Sequence, residues 1–179
     1  MQPNQIQTLI AAVRGKDIEM EVLLALHGLR RSELYALKKK NIQDGKILVR
    51  GAVVPSENGL IYKETNKSKE SKRDVPIIIP RLQELVDAIE GEEEPLCKTS
   101  FARSWVKIKR VCRENNLPEM SLHGLRHSFA SLCYHLGISE METMRLGGWS
   151  DVNVMRKIYT HLAEEDKIAA ENKLKGFFA

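Results

Sequence analysis

The periodicity of this chain changes between Asn41 and Ile79, and that change bounds the fold. Before it, apolar residues recur at helical spacing: Ile6, Leu9, Ile10 and Val13 behind Pro3, then Met20, Leu23 and Leu24 behind Asp17. After it the spacing returns at Leu82, Leu85, Val86 and Ile89, at Phe101, Trp105, Ile108 and Cys112, and at Leu125, Phe129, Leu132 and Cys133. Within the interval stand short β-prone runs, Ile47-Leu48-Val49, Gly51-Ala52-Val53-Val54, Gly59-Leu60-Ile61-Tyr62 and Val75-Pro76-Ile77-Ile78-Ile79, split by Asp44-Gly45 and Asn58-Gly59. One β-prone island in a helical chain predicts an α+β fold, mainly α-helical, with a small antiparallel three-stranded sheet on one edge. At 179 residues the chain builds one core and reads as a single domain, 1–179.

Cap and breaker residues place the helices at about 3–14, 17–27 with Asp17 as N-cap, and a short one from an N-cap at Ser32 through Leu37. Further helices fall at 80–90, 99–115, 123–135 and 139–146. Two short ones, 152–159 and 164–175, complete the chain. Gly28 interrupts the second helix, so Arg30 follows a hinge.

Chemistry concentrates between Leu122 and His161. His123 and Arg126 are three apart and share a helix face. An arginine there keeps its charge and needs an anion. A second arginine completing a phosphate clamp is expected elsewhere, and Arg30 is the candidate. Its neighbour Glu33 is placed to hold Arg30 or another basic group in an ion pair. Tyr159 follows with a phenolic hydroxyl, beside His161. Two guanidinium forks suit a phosphodiester, whose displacement builds charge on its equatorial oxygens. A tyrosine with an ordinary pKa of roughly 10 needs such a positive setting to act as a nucleophile. His123 is placed to hydrogen-bond the phosphate or to shuttle the tyrosine proton.

The rest of the composition narrows the partner. Net charge is +4, a mild basic bias. Arg103, Lys107 and Arg110 lie at spacings of three and four opposite the apolar stripe of one helix, an arrangement suited to phosphates along a duplex. Lys63 to Arg73 is a second basic stretch and includes Lys67 and Lys69. Three cysteines without Cys-x-x-Cys spacing indicate neither a zinc knuckle nor a disulfide framework. His123 and His127 have the spacing of a zinc-protease helix, but Gly124 stands where that motif needs Glu, so no metal is expected. No signal peptide and no run of about 20 apolar residues is seen, so a soluble, cytoplasmic protein is expected.

The runs His123-Gly124-Leu125-Arg126-His127, Leu146-Gly147-Gly148-Trp149-Ser150 and Tyr159-Thr160-His161, preceded by His27-Gly28-Leu29-Arg30-Arg31-Ser32-Glu33-Leu34, resemble in order and spacing the catalytic domain of the tyrosine recombinases of phage-integrase type. The resemblance covers nearly the whole chain. It implies strand cleavage and rejoining through a covalent 3′-phosphotyrosyl intermediate, in integration or excision of a mobile element. Arg30, His123 and Arg126 then surround the scissile phosphate and Tyr159 is the nucleophile. A β-hairpin lysine ahead of Arg73-Asp74-Val75-Pro76 is the general acid, with Lys67 placed first and Lys69 second. Trp149 stands where many relatives carry His; its indole N–H donates to a phosphate oxygen but transfers no proton. No cofactor is implied, because the phosphotyrosyl link conserves the bond energy. The implied partner is double-stranded DNA, bound by a homotetramer joined through the C-terminal helix, with a monomer when free. An N-terminal DNA-clasping domain, usual in the family, is expected to be absent from this chain. A DNA-binding regulator that keeps the fold and a type IB topoisomerase-like enzyme are the alternatives.

Overall fold

The computed structural model describes residues 1–57, 59–64 and 72–178. Helices α1 (Pro3–Val13), α2 (Glu19–Leu26) and α3 (Arg31–Leu34) lead into a 3-10 turn at Lys39–Asn41 and strands β1 (Ile42–Gln43), β2 (Lys46–Val49), β3 (Gly51–Ser56), β4 (Gly59–Glu64) and β5 (Arg73–Pro76). Helices α4 (Pro80–Asp87), α5 (Phe101–Glu114), α6 (Leu122–His135), α7 (Glu140–Gly147) and α8 (Val152–Phe178) follow.

Helix α2 is apolar on nearly every side, with Val22 through Leu26 buried, and so forms the centre of the packing. Leu9 of α1, Leu82 of α4, Ile108 of α5, Leu125 of α6 and Ile47 and Val75 of the sheet join it in one core. A smaller cluster of Phe129, Ala130, Cys133, Trp149 and Met155 lies where α6, α7 and α8 meet.

The expected three-stranded antiparallel sheet is present, in the order β1-β2-β5, with Ile47 opposite Val75 and Val49 opposite Arg73. The run from Gly51 to Tyr62 is not part of it. It forms a separate two-stranded ribbon, β3 against β4, with exposed residues along β4. Alternation alone does not say which runs pair, and only β2 and β5 carry core residues on a shared face.

Three local expectations are corrected. Arg30, not Ser32, is the N-cap of α3, which closes after four residues. Ile18, not Asp17, precedes α2; Asp17 instead pairs with Lys107, and its carbonyl accepts from Thr99. The two C-terminal helices are one, α8, of 27 residues. Thr160-His161-Leu162-Ala163 contains neither Gly nor Pro, so nothing stops the first helix from propagating into the second. Among the described residues no helix is long and apolar enough to cross a membrane.

Candidate active site

Gly28 ends α2 with φ +78°, and a Cβ there would meet the Phe129 ring at 2.9 Å and the Gly147 Cα at 3.2 Å. Glycine is therefore required twice over, for the left-handed backbone and for the close approach of the chain to α6 and α7. That approach brings the Gly28 carbonyl to the Arg126 guanidinium. Gly148 ends α7 with φ +68°, and a Cβ there would lie 2.6 Å from the Arg73 guanidinium. The second glycine lets an arginine close on the helix end.

What gathers at that end is a cage of three arginines. The last carbonyls of a helix lack intrahelical donors and carry its negative pole. Here each of three in succession accepts from a different arginine. Arg73 Nε donates to Leu146 O at 3.1 Å, Arg126 Nη1 to Gly147 O at 2.6 Å, and Arg30 Nη2 to Gly148 O. One buried carboxylate sits among them. Glu33 accepts from the Arg30 backbone N–H at 2.8 Å and Arg30 Nη1 at 2.7 Å, and from Arg73 at 3.1 and 2.9 Å. Although burial opposes its charge, the Arg73 and Arg30 bonds hold the Glu33 carboxyl below the usual range.

Arg126 is different. It is 2% exposed, its guanidinium donates to two backbone carbonyls, and among the described residues it pairs with no carboxylate. Its guanidinium lies 3.9 Å from the centroid of the buried Trp149 ring, which is itself stacked on Phe129. Burial first, then the like charge of Arg30, pushes its pKa down to about 9. Three cations against one carboxylate leave an excess of positive charge, and Arg126 and the 37%-exposed Arg30 side chain line an open pocket together with His123, His127 and Trp149. That pocket is chemically a seat for one compact anion.

The structure thus brings together Arg30, His123, Arg126 and Trp149. It does not bring Tyr159 to them. The phenol donates to Ile138 O at 3.1 Å and bonds Thr143 Oγ1 at 2.8 Å, with its ring edge-on to Tyr134. Burial raises its pKa above the ordinary value, the reverse of what a positive neighbour would do. Val154, earlier on α8, lines the arginine pocket. Five residues advance a helix by about 140°, so the turn that presents Val154 there directs Tyr159 elsewhere.

Lys67 and Lys69 lie outside the described residues. Arg103, Lys107 and Arg110 line a separate surface groove on α5, where Lys107 pairs with Asp17 and Arg110 lies 3.8 Å from Glu114. The basic stripe is thereby partly neutralised, by Asp17 from outside α5 and by Glu114 one turn further along it.

Three participants escaped the sequence reading. Arg73 entered it only as a landmark for the lysine, yet its side chain is 7% exposed and bound to Glu33. The signal was available: Arg73 and the buried Val75 are two apart on a strand and so share a face. His127, set aside on the sequence, touches His123 through the Nε2 atoms at 2.8 Å. Thr143, the partner of Tyr159, carries no sequence signal, because its neighbour is sixteen residues away.

Known proteins share this arrangement of elements. A tyrosine recombinase XerC-like protein from Caldanaerobacter subterraneus subsp. tengcongensis is 26% identical over 98% of this chain and 53% of its own length. The Tn1549 transposon integrase, solved in complex with circular intermediate DNA, superposes with a TM-score of 0.73 at 17% identity, covering 94% of this chain and 66% of that one. The catalytic domain of bacteriophage HP1 integrase superposes with a TM-score of 0.58 at 23% identity, covering 90% of this chain and 86% of that one. These two likenesses show the fold. The chain spans between 46% and 60% of the length of the curated relatives it matches. Matched over residues 1–166 by the model of the phage integrase family, and built on a fold shared with integrases and recombinases, the chain belongs to the phage integrase family.

Proposed function

We propose that this chain is the catalytic domain of a site-specific recombinase that cleaves and rejoins double-stranded DNA, in integration or excision of a mobile element. One observation carries the reading: a buried arginine with no acid partner among the described residues lines, with Arg30 and His123, an open pocket. Burying a guanidinium costs several kcal/mol unless a counter-charge arrives, so the pocket is built for a charge that the protein itself does not supply. A scissile phosphodiester fits that description. Arg30 and Arg126 hold its non-bridging oxygens, and the Trp149 ring keeps the Arg126 fork in plane.

The Tyr159 oxygen attacks phosphorus as the bond to the 5′ oxygen breaks. The phenolic proton passes to His123 or to water, and the 5′ oxygen takes a proton from Lys67, with Lys69 second in line. Attack by the 5′ hydroxyl on the phosphotyrosine reverses the step. Because the phenol is bonded to Thr143 and Ile138, a rotation of α8 must precede attack. The exposed Ile168, Leu174, Phe177 and Phe178 near the end of α8 support docking of that segment on a neighbouring subunit. The free chain is then a monomer that assembles as a tetramer on DNA. The α5 face of Arg103, Lys107 and Arg110 adds phosphate contacts. A separate DNA-clasping domain completes the grip on the site.

A nicked suicide substrate tests the reading. The chain is expected to form a covalent adduct that survives denaturing electrophoresis, and Tyr159→Phe to lose it with DNA affinity retained. An adduct formed by the Phe variant would remove Tyr159 as nucleophile. The docked phenol favours one second reading, a DNA-binding regulator, and DNA binding by the unaltered chain with no adduct would select it.

A further inference from the structure

Beside the arginines two imidazoles meet. His123 and His127 stand four apart on α6, with ring planes 87° apart, centroids at 4.4 Å and Nε2 atoms at 2.8 Å. Two N–H groups facing each other at that distance repel, and so do two lone pairs. The contact therefore holds one proton, and the two neutral rings adopt opposite tautomers. The ring that donates its Nε2–H keeps a bare Nδ1. The ring that accepts keeps its hydrogen on Nδ1.

The surroundings choose the direction. His127 is half-buried, and burial, then the charges of His123 and Arg126, push its imidazole pKa down. A neutral ring in a positive environment is a good N–H donor and a poor acceptor. The charged groups facing the pair are Arg126 on the same helix and Arg30 and Arg31 across the pocket, with Glu33 behind Arg30. Val154 on α8 adds none.

We propose that His127 is a positioning residue: it donates its Nε2–H to His123 Nε2 and so fixes His123 with its own hydrogen on Nδ1, a donor for a phosphate oxygen. The tautomer assignment stands on the geometry of the pair, and its use on a phosphate rests on the function proposed above. A second proton on the pair would put two N–H groups face to face and break the contact, so acid pH releases His123 from its partner.

The experiment has two arms. Long-range 1H–15N spectra of the full chain at pH 7.5 are expected to show His127 protonated at Nε2 and His123 at Nδ1. In His127→Leu, His123 should switch to the Nε2–H form, because the donor that favoured its bare Nε2 is gone. His127→Gln, whose amide can donate from a similar position, should restore the Nδ1–H form. An Nε2–H on His123 in the unaltered chain, or a His123 tautomer unmoved by His127→Leu, overturns the proposal. In the second arm, adduct formation on the nicked substrate should fall roughly 10- to 100-fold in His127→Leu, by analogy with the loss of the hydrogen-bond partner that orients a metal-bound histidine. His127→Gln should recover most of the rate. An adduct rate in His127→Leu equal to that of the unaltered chain also overturns the proposal. Failure of the unaltered chain to form any adduct overturns the proposed function instead and leaves the spectroscopic result standing.

Discussion

The arginine cage and the tyrosine helix are built on opposite terms. Every guanidinium of the cage is held by at least two partners, and Glu33, Arg73 and Arg126 are almost fully enclosed. Helix α8, by contrast, runs 27 residues and buries only Met155 and Leu162. The arginines are thus held in place by protein groups, whether or not an anion is bound. Tyr159, the proposed nucleophile, is half-buried on this helix and held through its phenol by Thr143 and Ile138, and beyond Leu162 the helix buries no side chain. If the proposed function holds, anion recognition and delivery of the tyrosine reside in separate regions and are separately breakable.

The strongest blow to the fixed region is expected from Glu33→Ala. It strips a carboxylate that accepts from both Arg30 and Arg73 and leaves the Arg73 charge buried without its partner. Removing one member of a buried pair costs about 3–5 kcal/mol. Urea denaturation should show that loss, and a variant within about 1 kcal/mol of the parent (about fivefold in the folding constant) would mean the cage is not structural. Next comes Arg126→Lys, which keeps a charge but loses the fork. Single-turnover cleavage should slow by about 3–4 kcal/mol, as when an oxyanion donor is lost. Full activity would mean the bidentate geometry is dispensable.

Acid should find a third weakness in the same region. His27 is fully buried; its Nδ1–H donates to Leu23 O at 2.7 Å and its Nε2 accepts from the Ile78 N–H at 3.0 Å. The second of these bonds needs the neutral ring, because a protonated Nε2 cannot accept, and burial pushes the pKa down to about 4 from the ordinary 6.5. The unfolded chain therefore takes up the proton first. Stability is complete above pH 6.5, falls as pH drops, and levels off below 4, a total on the order of 3 kcal/mol. Denaturation between pH 6.5 and 5, above the range of the carboxylates, should show the slope, and His27→Gln should flatten it.

The smallest effect is expected in the movable region. Deleting residues 163–178 removes none of the buried side chains of α8 and should cost less than about 1 kcal/mol in urea. A larger loss would show that the tail is packed after all, and would erase the contrast between the two regions.

The sequence alone determined the fold class, most helix positions and four members of the pocket. Periods of 3.6 and 2 are local, glycine hinges are local, and His123 and Arg126 share a face wherever their helix lies. Arg30 was legible because Gly28 marks a break beside it. Tertiary structure alone decided the rest. That Arg73 enters the cage, that Leu146, Gly147 and Gly148 offer their carbonyls to three arginines, and that β3–β4 stands apart from the sheet all depend on elements distant in the chain. The orientation of Tyr159 is the clearest case. Its place in the sequence marks it as a reactive phenol, but a helix can turn about its axis without any change in sequence. Packing against Thr143 and Ile138 set the angle that the residue order left open.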